Sequence, residues 1–579
     1  MTRSPFPTPR RGALAATAVA AATAALLAAC GSNPRSGAEA PLVATACGQL
    51  GGAVADLKGL RITRAAEQPA DGKGHPAHCL VQGKLNERTG ADGQRYAIGF
   101  EMRLPVATAW NQRFLHQMNG GNDGVVKPAL GDMGILAEDA LQRGFAVLSS
   151  DAGHDGDDPA LAANGLLKGV MFGLDPQARR DYGYAASDAL WPVAKALITR
   201  HYAQPAQRNY MAGCSNGGRQ AMVAATRQAQ RYDGFLAGAP GFNLPKAAVQ
   251  HAWDVQSWRL AHADIRQAFS PADLKRVADH IVARCDGLDQ LVDGMVSDVK
   301  RCQAALRLAD LRCKPGQTGD CLSAGQVSAL ERAFGGARNG RGDALYSDFP
   351  FDTGIASPGW RAWKLQSTVP PWEQLPIIAT MGAGSLAQIF STPPQRLAAG
   401  TPAALLDSLV RFDFDRDAPK IYAAQAPYSE SAMDFMTPPD AANPMLTALR
   451  ARKGKLLIYH GSSDPVFSVN DSARWLEKLQ HNLGASGAAD VARLFAVPGM
   501  GHCQAGPATD RFDALGALVD WVEKGQAPER IVATLNPANK DVPAAWPATR
   551  SRPLCPYPLV ARYAGGDTEA AASFRCAAP

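Results

Sequence analysis

Gly213-Cys214-Ser215-Asn216-Gly217 holds a serine with a glycine two residues to either side. A serine hydroxyl is a poor nucleophile at neutral pH. It attacks a carbonyl when an imidazole takes its proton and a carboxylate fixes the tautomer of that imidazole. Both partner types occur later in the chain. Asp464 stands in His460-Gly-Ser-Ser-Asp464-Pro-Val-Phe467, and His502 in Pro498-Gly-Met-Gly-His502-Cys503. Together they would perform acyl transfer, with the imidazole returning the proton to the leaving group. Taken singly, each residue also has a plain reading. The pentad can be a turn in a chain with 56 glycines, Asp464 a helix cap or turn residue, and His502 a surface residue at a strand end. His460 lies on the strand side of its turn and is not assigned the base.

The elements around these residues favour the chemistry. Tyr210-Met211-Ala212 reads as a strand end and Arg219 to Gln228 as a helix. Strand, pentad and helix are the context of a nucleophile elbow, a strained turn that exposes the serine at the top of a sheet. Lys455–Tyr459 and Ala492–Val497 read as strands that end just before the Asp464 and His502 loops. All three residues then sit at one end of a parallel sheet, in the order Ser, Asp, His of α/β-hydrolases. Further strands are expected over 92–104, 114–118 and 145–149, and a helix over 181–201. Strands alternating with helices imply a mostly parallel sheet covered on both faces. After the 114–118 strand comes Asn119-Gly120-Gly121-Asn122-Asp123-Gly124. Its backbone N–H at Gly120 or Gly121, with that of Asn216, would bind the oxyanion. Ser150–Asp155 reads as a structural loop despite its polar residues. From about Pro245 to Pro439 the alternation breaks down into helical, Pro-, Gly- and Trp-bearing sequence. The expected fold is an α/β-hydrolase core over 47–244 and 440–579, split by an inserted, mainly helical lid over 245–439.

The N-terminus reads as a targeting segment. Arg3, Arg10 and Arg11 precede an apolar run, Ala13–Ala29, that ends in Leu27-Ala28-Ala29-Cys30. This resembles a lipobox, with residues 1–29 as the signal, Cys30 as the lipidated residue and 30–46 as a tether. An ordinary secretory signal is the alternative. Gly31, where Asp would signal inner-membrane retention, leaves an outer-membrane lipoprotein or a periplasmic or secreted protein. Membrane contact is expected only through the anchor. Net charge is +6 and the basic residues are scattered, so no nucleic-acid partner is expected. Of 11 cysteines, ten remain beside Cys30. Export favours pairing over buried free thiols. Spacing suggests Cys47–Cys79, Cys285–Cys302, Cys313–Cys321 and Cys555–Cys576. That leaves Cys214 beside the serine and Cys503 beside the histidine, which can pair if Ser215 and His502 touch. Asp286, Asp289 and Asp293 lie within eight residues. From the residues alone, this is either a solvated acidic turn or a calcium site.

Cys214-Ser215, Asp464 and His502-Cys503 resemble the CS–D–HC signature of the tannase/feruloyl esterase family. Phe172–Arg179, Ala237–Gly241, Phe412–Asp415 and Leu554–Pro558 are similar to segments of members that cleave a terephthalate monoester. The resemblance covers nearly the whole mature chain. It implies an α/β-hydrolase core, a lid, and hydrolysis of aromatic-acid esters, of feruloyl, galloyl, hydroxybenzoyl or terephthalate monoester type. It implies a structural calcium in the lid, held by the side chains of Asp286, Asp289 and Asp293 and the carbonyls of Leu291 and Met295. It places the second oxyanion donor at Gly121, and Trp363 and Phe467 at either side of a planar acyl ring. From the residues alone, both aromatics can equally be packing. One departure stands out. Terephthalate-cleaving members grip the free carboxylate with a lid arginine, and that position falls at Ile377. No Lys or Arg occurs from Leu365 to Gln395. The expected acyl group is therefore a hydroxybenzoate, gallate or cinnamate without a second carboxylate. A monomeric, exported serine esterase acting on a small aromatic ester is expected. The alternative is a surface lipoprotein that uses the same fold for binding alone.

Overall fold

Nine strands build one sheet in the computed structural model, which describes residues 43–317 and 319–579. The expected signal, Cys30 and most of the expected tether lie outside the described residues. In chain order the strands are β1 (Leu60–Gln68), β2 (His78–Thr89), β3 (Arg95–Pro105), β4 (Arg113–Met118), β5 (Ala146–Ser150), β6 (Arg208–Cys214), β7 (Gly234–Gly238), β8 (Lys455–Gly461) and β9 (Ala492–Val497). Their order across the sheet is β1-β2-β3-β5-β4-β6-β7-β8-β9. The first three pair antiparallel, β3 meets β5 antiparallel, and every later pairing is parallel.

Burial explains the parallel half. All five residues of β7 are buried, as are Leu456–Gly461 of β8. Such strands need cover on both faces, which crossover helices supply. Alternate residues serve the two sides. Met211, Phe235, Leu456 and Ile458 pack with α1 (Ala186–Tyr202). Tyr210, Ala212, Leu236, Leu457 and Tyr459 face the opposite core. α2 (Asn216–Arg227) follows the elbow, α3 (Leu244–Trp258) and α4 (Pro271–Cys285) open the segment between β7 and β8, and α5 (Ile377–Gly384) lies within it. α6 (Val469–Ala489) joins the first core through Trp475 and Leu476, and α7 (Ala514–Lys524) joins the second through Leu515 and Leu518. The chain leaves the sheet at Gly238 and returns beside it at Lys455, in register Gly238 to Tyr459. This is an α/β-hydrolase fold carrying a large, mainly helical insertion.

Several boundaries differ from expectation. α2 starts at Asn216 rather than Arg219, because Ser215 itself occupies the N-cap. The helix expected over 181–201 begins with a π-turn, Asp181–Ala185, before α1. β1 and β2 were not expected; β1 alternates charged and half-buried residues at the sheet edge. The C-terminal region adds a three-stranded sheet, Arg511–Phe512 with Ile531–Thr534 and Ser551–Leu554, and a hairpin, Val560–Tyr563 with Phe574–Ala577. Five disulfides form: Cys47–Cys79, Cys214–Cys503, Cys285–Cys302, Cys313–Cys321 and Cys555–Cys576. Among the described residues no helix is long and apolar enough to cross a membrane.

Candidate active site

Ser215 has φ 64° and ψ −125°, between β6 and α2. The tight approach of the chain to itself enforces the glycines around it. A Cβ on Gly213 would stand 2.6 Å from the Met118 carbonyl oxygen, and one on Gly217 only 2.4 Å from it. Although it is the N-cap residue, Ser215 makes no side-chain cap hydrogen bond. Its Oγ lies instead 2.8 Å from His502 Nε2. His502 Nδ1 lies 2.8 Å from Asp464 Oδ2. Asp464 Oδ1 accepts the N–H groups of Val466 (2.7 Å) and Phe467 (3.1 Å). Burial alone would raise the Asp464 carboxyl. The neighbouring charge of His502 and hydrogen bonds from His460 and His502 hold it well below the usual carboxylate range. An ionised Asp464 accepts from His502 Nδ1–H, which leaves Nε2 free to accept the serine proton. His460 is buried behind the carboxylate, 3.4 Å from Asp464 Oδ2, with its ring nitrogens also on Ser472 Oγ (2.9 Å) and the Phe467 carbonyl (3.0 Å). It does not reach Ser215.

The two expected oxyanion residues share one hydrogen-bond network. Asn216 is the first residue of α2, where a backbone N–H has no intrahelical partner. Its side chain donates to Asp123 Oδ2 at 2.7 Å and accepts from Arg219 Nε at 2.7 Å. Gly121 takes φ 67° in the glycine-rich loop, and its carbonyl accepts the Tyr182 hydroxyl at 3.2 Å. The Arg219 guanidinium donates to the carbonyls of Tyr182 (2.9 Å) and Gly183 (2.8 Å). Burial pushes the Asp123 carboxyl up to about 8, against the pull of Arg219 and Asn216.

A pocket opens beside Ser215, walled by Gly121, Asn216, Trp363, Phe467 and the facing sides of α3 and α5. Trp363 and Phe467 both stand edge-on to His502, with ring centroids at 5.3 and 5.5 Å. Ile377 lies in the same wall. Among the described residues lining the pocket there is no Lys, Arg, Asp or Glu. Lys364, next to Trp363, is buried and paired with Asp254.

Sequence reasoning missed Asp352. This buried carboxylate of the insertion accepts from the Ser462 hydroxyl (2.6 Å), the Ser463 hydroxyl (3.0 Å) and the Gly499 N–H (2.8 Å). Those residues belong to the loops that carry Asp464 and His502, so one side chain buckles both. Its only signal is an Asp after the aromatic run Phe349-Pro-Phe351. In the Ser150–Asp155 loop, Asp151 accepts the N–H groups of Gly99 (3.0 Å) and Gly153 (2.8 Å).

The acidic loop of the insertion is closed by Cys285–Cys302. Asp286 accepts the N–H groups of Asp293 (3.1 Å) and Gly294 (2.9 Å), and Asp289 that of Leu291 (3.2 Å). Asp293 accepts the Met295 N–H at 3.0 Å and pairs with Arg552. Burial, with the nearby charge of Asp293, pushes Asp286 up and Asp289 up to about 6. Among the described residues no group of three or more His, Cys, Asp or Glu side chains is arranged to hold a metal by itself.

A family model for tannase and feruloyl esterase matches residues 79–577. The mono(2-hydroxyethyl) terephthalate hydrolase of Piscinibacter sakaiensis is 40% identical over 89% of this chain and 87% of its own. A probable feruloyl esterase of Arthroderma benhamiae is 30% identical over 82% of this chain and 81% of its own. The crystal structure of feruloyl esterase B from Aspergillus oryzae superposes with a TM-score of 0.68 at 21% identity, covering 92% of this chain and 100% of its own. That likeness speaks to the fold, and the sequence matches carry the rest: this chain is a carboxylic ester hydrolase and belongs to the tannase and feruloyl esterase family.

Proposed function

We propose that the protein cleaves esters of aromatic acids through an acyl-enzyme on Ser215. The observation that carries this is His502, hydrogen-bonded to Ser215 on one nitrogen and to Asp464 on the other, with two aromatic rings at its edge. As Ser215 Oγ attacks the ester carbonyl, its proton passes to His502 Nε2. The N–H groups of Asn216 and Gly121 take the oxyanion, and losing one such donor typically costs about 3–4 kcal/mol. The C–O bond to the alcohol breaks and His502 protonates the leaving oxygen. A water then gives its proton to His502, attacks the acyl carbon, and releases the acid and free Ser215. Trp363 and Phe467 would sandwich the acyl ring.

The pocket favours acyl groups with no second charge. The relative from Piscinibacter sakaiensis is named for a terephthalate monoester, but here Ile377 and an uncharged wall offer no counter-ion to a free carboxylate. The test is a hydrolysis panel of methyl benzoate, methyl gallate, methyl ferulate and mono(2-hydroxyethyl) terephthalate, with Ser215→Ala as control. Ser215-dependent turnover is expected for the uncharged esters, with little for the terephthalate monoester. A folded protein that turned over none of them would sink the reading.

The proposal includes a structural calcium ion at Asp286, Asp289 and Asp293. Three carboxylates gathered in one loop closed by Cys285–Cys302 support it, with the hard oxygen donors that calcium takes. Arg552 already meets part of that charge at Asp293, so the ion would also draw on the carbonyls of Leu291 and Met295. Its role is to hold the insertion, and it takes no part in the chemistry. Terbium titration of the folded protein, with Asp289→Ala as control, tests it. We also propose a monomer exported with a lipid at Cys30. Ten paired cysteines support export. Mass spectrometry of the native N-terminus and sedimentation would check the anchor and the oligomeric state.

A further inference from the structure

His251 lies in the middle of α3 and in the wall of the pocket beside Ser215. Leu244, Ala248 and His251 share one face of that helix, and Ile377, Met381 and Ser385 the opposing face of α5 and the turn after it. The acyl ring would enter between these faces. His251 is the residue there with both a donor and an acceptor on one ring. Only 6% of it is exposed, and neither Nδ1 nor Nε2 has a hydrogen-bond partner. Buried polar atoms are rarely left unpaired, because the lost hydration is not repaid. Room has been made for this one. A Cβ on Gly382 would stand 2.4 Å from His251 Nδ1, so the glycine admits the imidazole against α5. Burial, followed by the charge of nearby Lys364, pushes the ring down to about 3, so it is neutral at working pH. Lys364 itself is held by Asp254.

Building on the ester reading above, we propose that His251 determines specificity by pairing its imidazole with a neutral hydrogen-bonding substituent on the aromatic acyl group, namely a phenolic hydroxyl. An uncharged ring can both give and take a hydrogen bond with a phenol, and it offers no charge to a second carboxylate. The unsubstituted acyl group leaves the imidazole unpaired, and the phenolic one satisfies it. One such bond, made in a water-excluded wall, corresponds to about a tenfold preference in kcat/KM.

The experiment compares methyl benzoate with methyl 3-hydroxybenzoate and methyl 4-hydroxybenzoate on wild type, His251→Phe and His251→Gln. Wild type is expected to favour at least one phenolic ester over the benzoate by about tenfold. His251→Phe, a ring without polar atoms, is expected to abolish that preference, read as the ratio of phenolic to unsubstituted ester within each variant. His251→Gln, which keeps a donor and an acceptor, is expected to recover part of it. Turnover of 4-nitrophenyl acetate, whose acyl group is too short to reach the helix, checks that each variant is folded. The proposal is overturned if His251→Phe keeps the preference, or if it lowers all three esters equally. Failure of wild type on all three esters would instead overturn the aromatic-ester reading, and this proposal with it.

Discussion

Removing the Cys214–Cys503 bond is expected to cost activity out of proportion to stability. The bond joins the residue before Ser215 to the residue after His502, with a Cα–Cα distance of 6.0 Å and a sequence separation of 289. Closing a loop of that length restricts the denatured chain by about 5.7 kcal/mol at 25 °C. Cys285–Cys302 and Cys313–Cys321 lie inside the loop but shorten it little, with separations of 17 and 8. Roughly 540 folded residues carry an unfolding entropy of about 1.1 kcal/mol/K, so the double Cys214→Ala/Cys503→Ala variant should melt only about 5 °C lower. Its kcat/KM for an aromatic ester should fall far more, by about a hundredfold, because a displacement of about 1 Å in a positioned group has that effect. Cys313→Ala/Cys321→Ala is the control. Its short loop is worth about 2.5 kcal/mol by the same relation, and neither cysteine lines the pocket beside Ser215. It should lose a little stability and keep its activity. Steady-state kinetics at 25 °C and thermal melts on the oxidised proteins decide the matter. The reasoning is refuted if the first variant keeps kcat/KM within about twofold, or if the two variants lose activity in step with their melting temperatures.

Three further outcomes follow from the site. Asp464→Asn should lower kcat by about four orders of magnitude while the protein stays folded, since the wrong His502 tautomer is then favoured; a loss of tenfold or less in a kinetic assay would argue against the assigned role. Asp352→Ala leaves the Ser463 hydroxyl and the Gly499 N–H without their acceptor, and the Ser462 hydroxyl with only the Val497 carbonyl, and should destabilise by about 2–3 kcal/mol and depress kcat with little change in KM; unchanged kcat would show that the two loops hold their shape without it. The Asp123 carboxyl, raised from 3.8 to about 8 by burial, stays protonated in the fold after it has ionised in the unfolded chain. Stability is thus lost as pH rises between those values, by up to about 1.4 kcal/mol per pH unit, so melts of Asp123→Asn should gain on wild type from pH 5 to pH 8, and parallel curves would contradict the shift.

The sheet and the meeting of Ser215, Asp464 and His502 were legible because each rests on a local pattern. Lys455–Tyr459 and Ala492–Val497 are short apolar runs that end at chemistry-bearing loops, and a parallel strand buried on both faces has no other appearance. β1 was not legible, because an edge strand with one solvated face keeps its charges. β7 has only Phe-Leu-Ala between two glycines. The insertion was legible as an interruption, and Trp363 and Ile377 as pocket positions only through the resemblance, but α3 was not legible as a wall. His251 sits among Ala247, Ala248, Val249 and Ala252, all buried, and reads as one polar position in a core helix. Its meaning depends on Gly382, more than a hundred residues later, and no periodicity connects the two. Ile377 entered only through the resemblance; the structure places it in the pocket wall beside Ser215.

The insertion therefore does more than cover a finished site. The core supplies Ser215, Asp464 and His502 from three loops at one end of the parallel strands, and a loop at a strand end has little of its own to fix its side chains. Cys214–Cys503 ties the first of those loops to the third. Asp352, from the insertion, ties the second to the third through Ser462, Ser463 and Gly499. The same insertion provides α3, α5 and Trp363, which wall the pocket beside Ser215. The clamp at Asp352 and the pocket wall thus come from one element. Substitutions that reshape the pocket within α5 can change the acyl group without touching the clamp, whereas deletion of the insertion removes the clamp together with the pocket. A shortened chain that kept the nine strands with Ser215, Asp464 and His502 is expected to lose the 2.8 Å contacts among those three side chains.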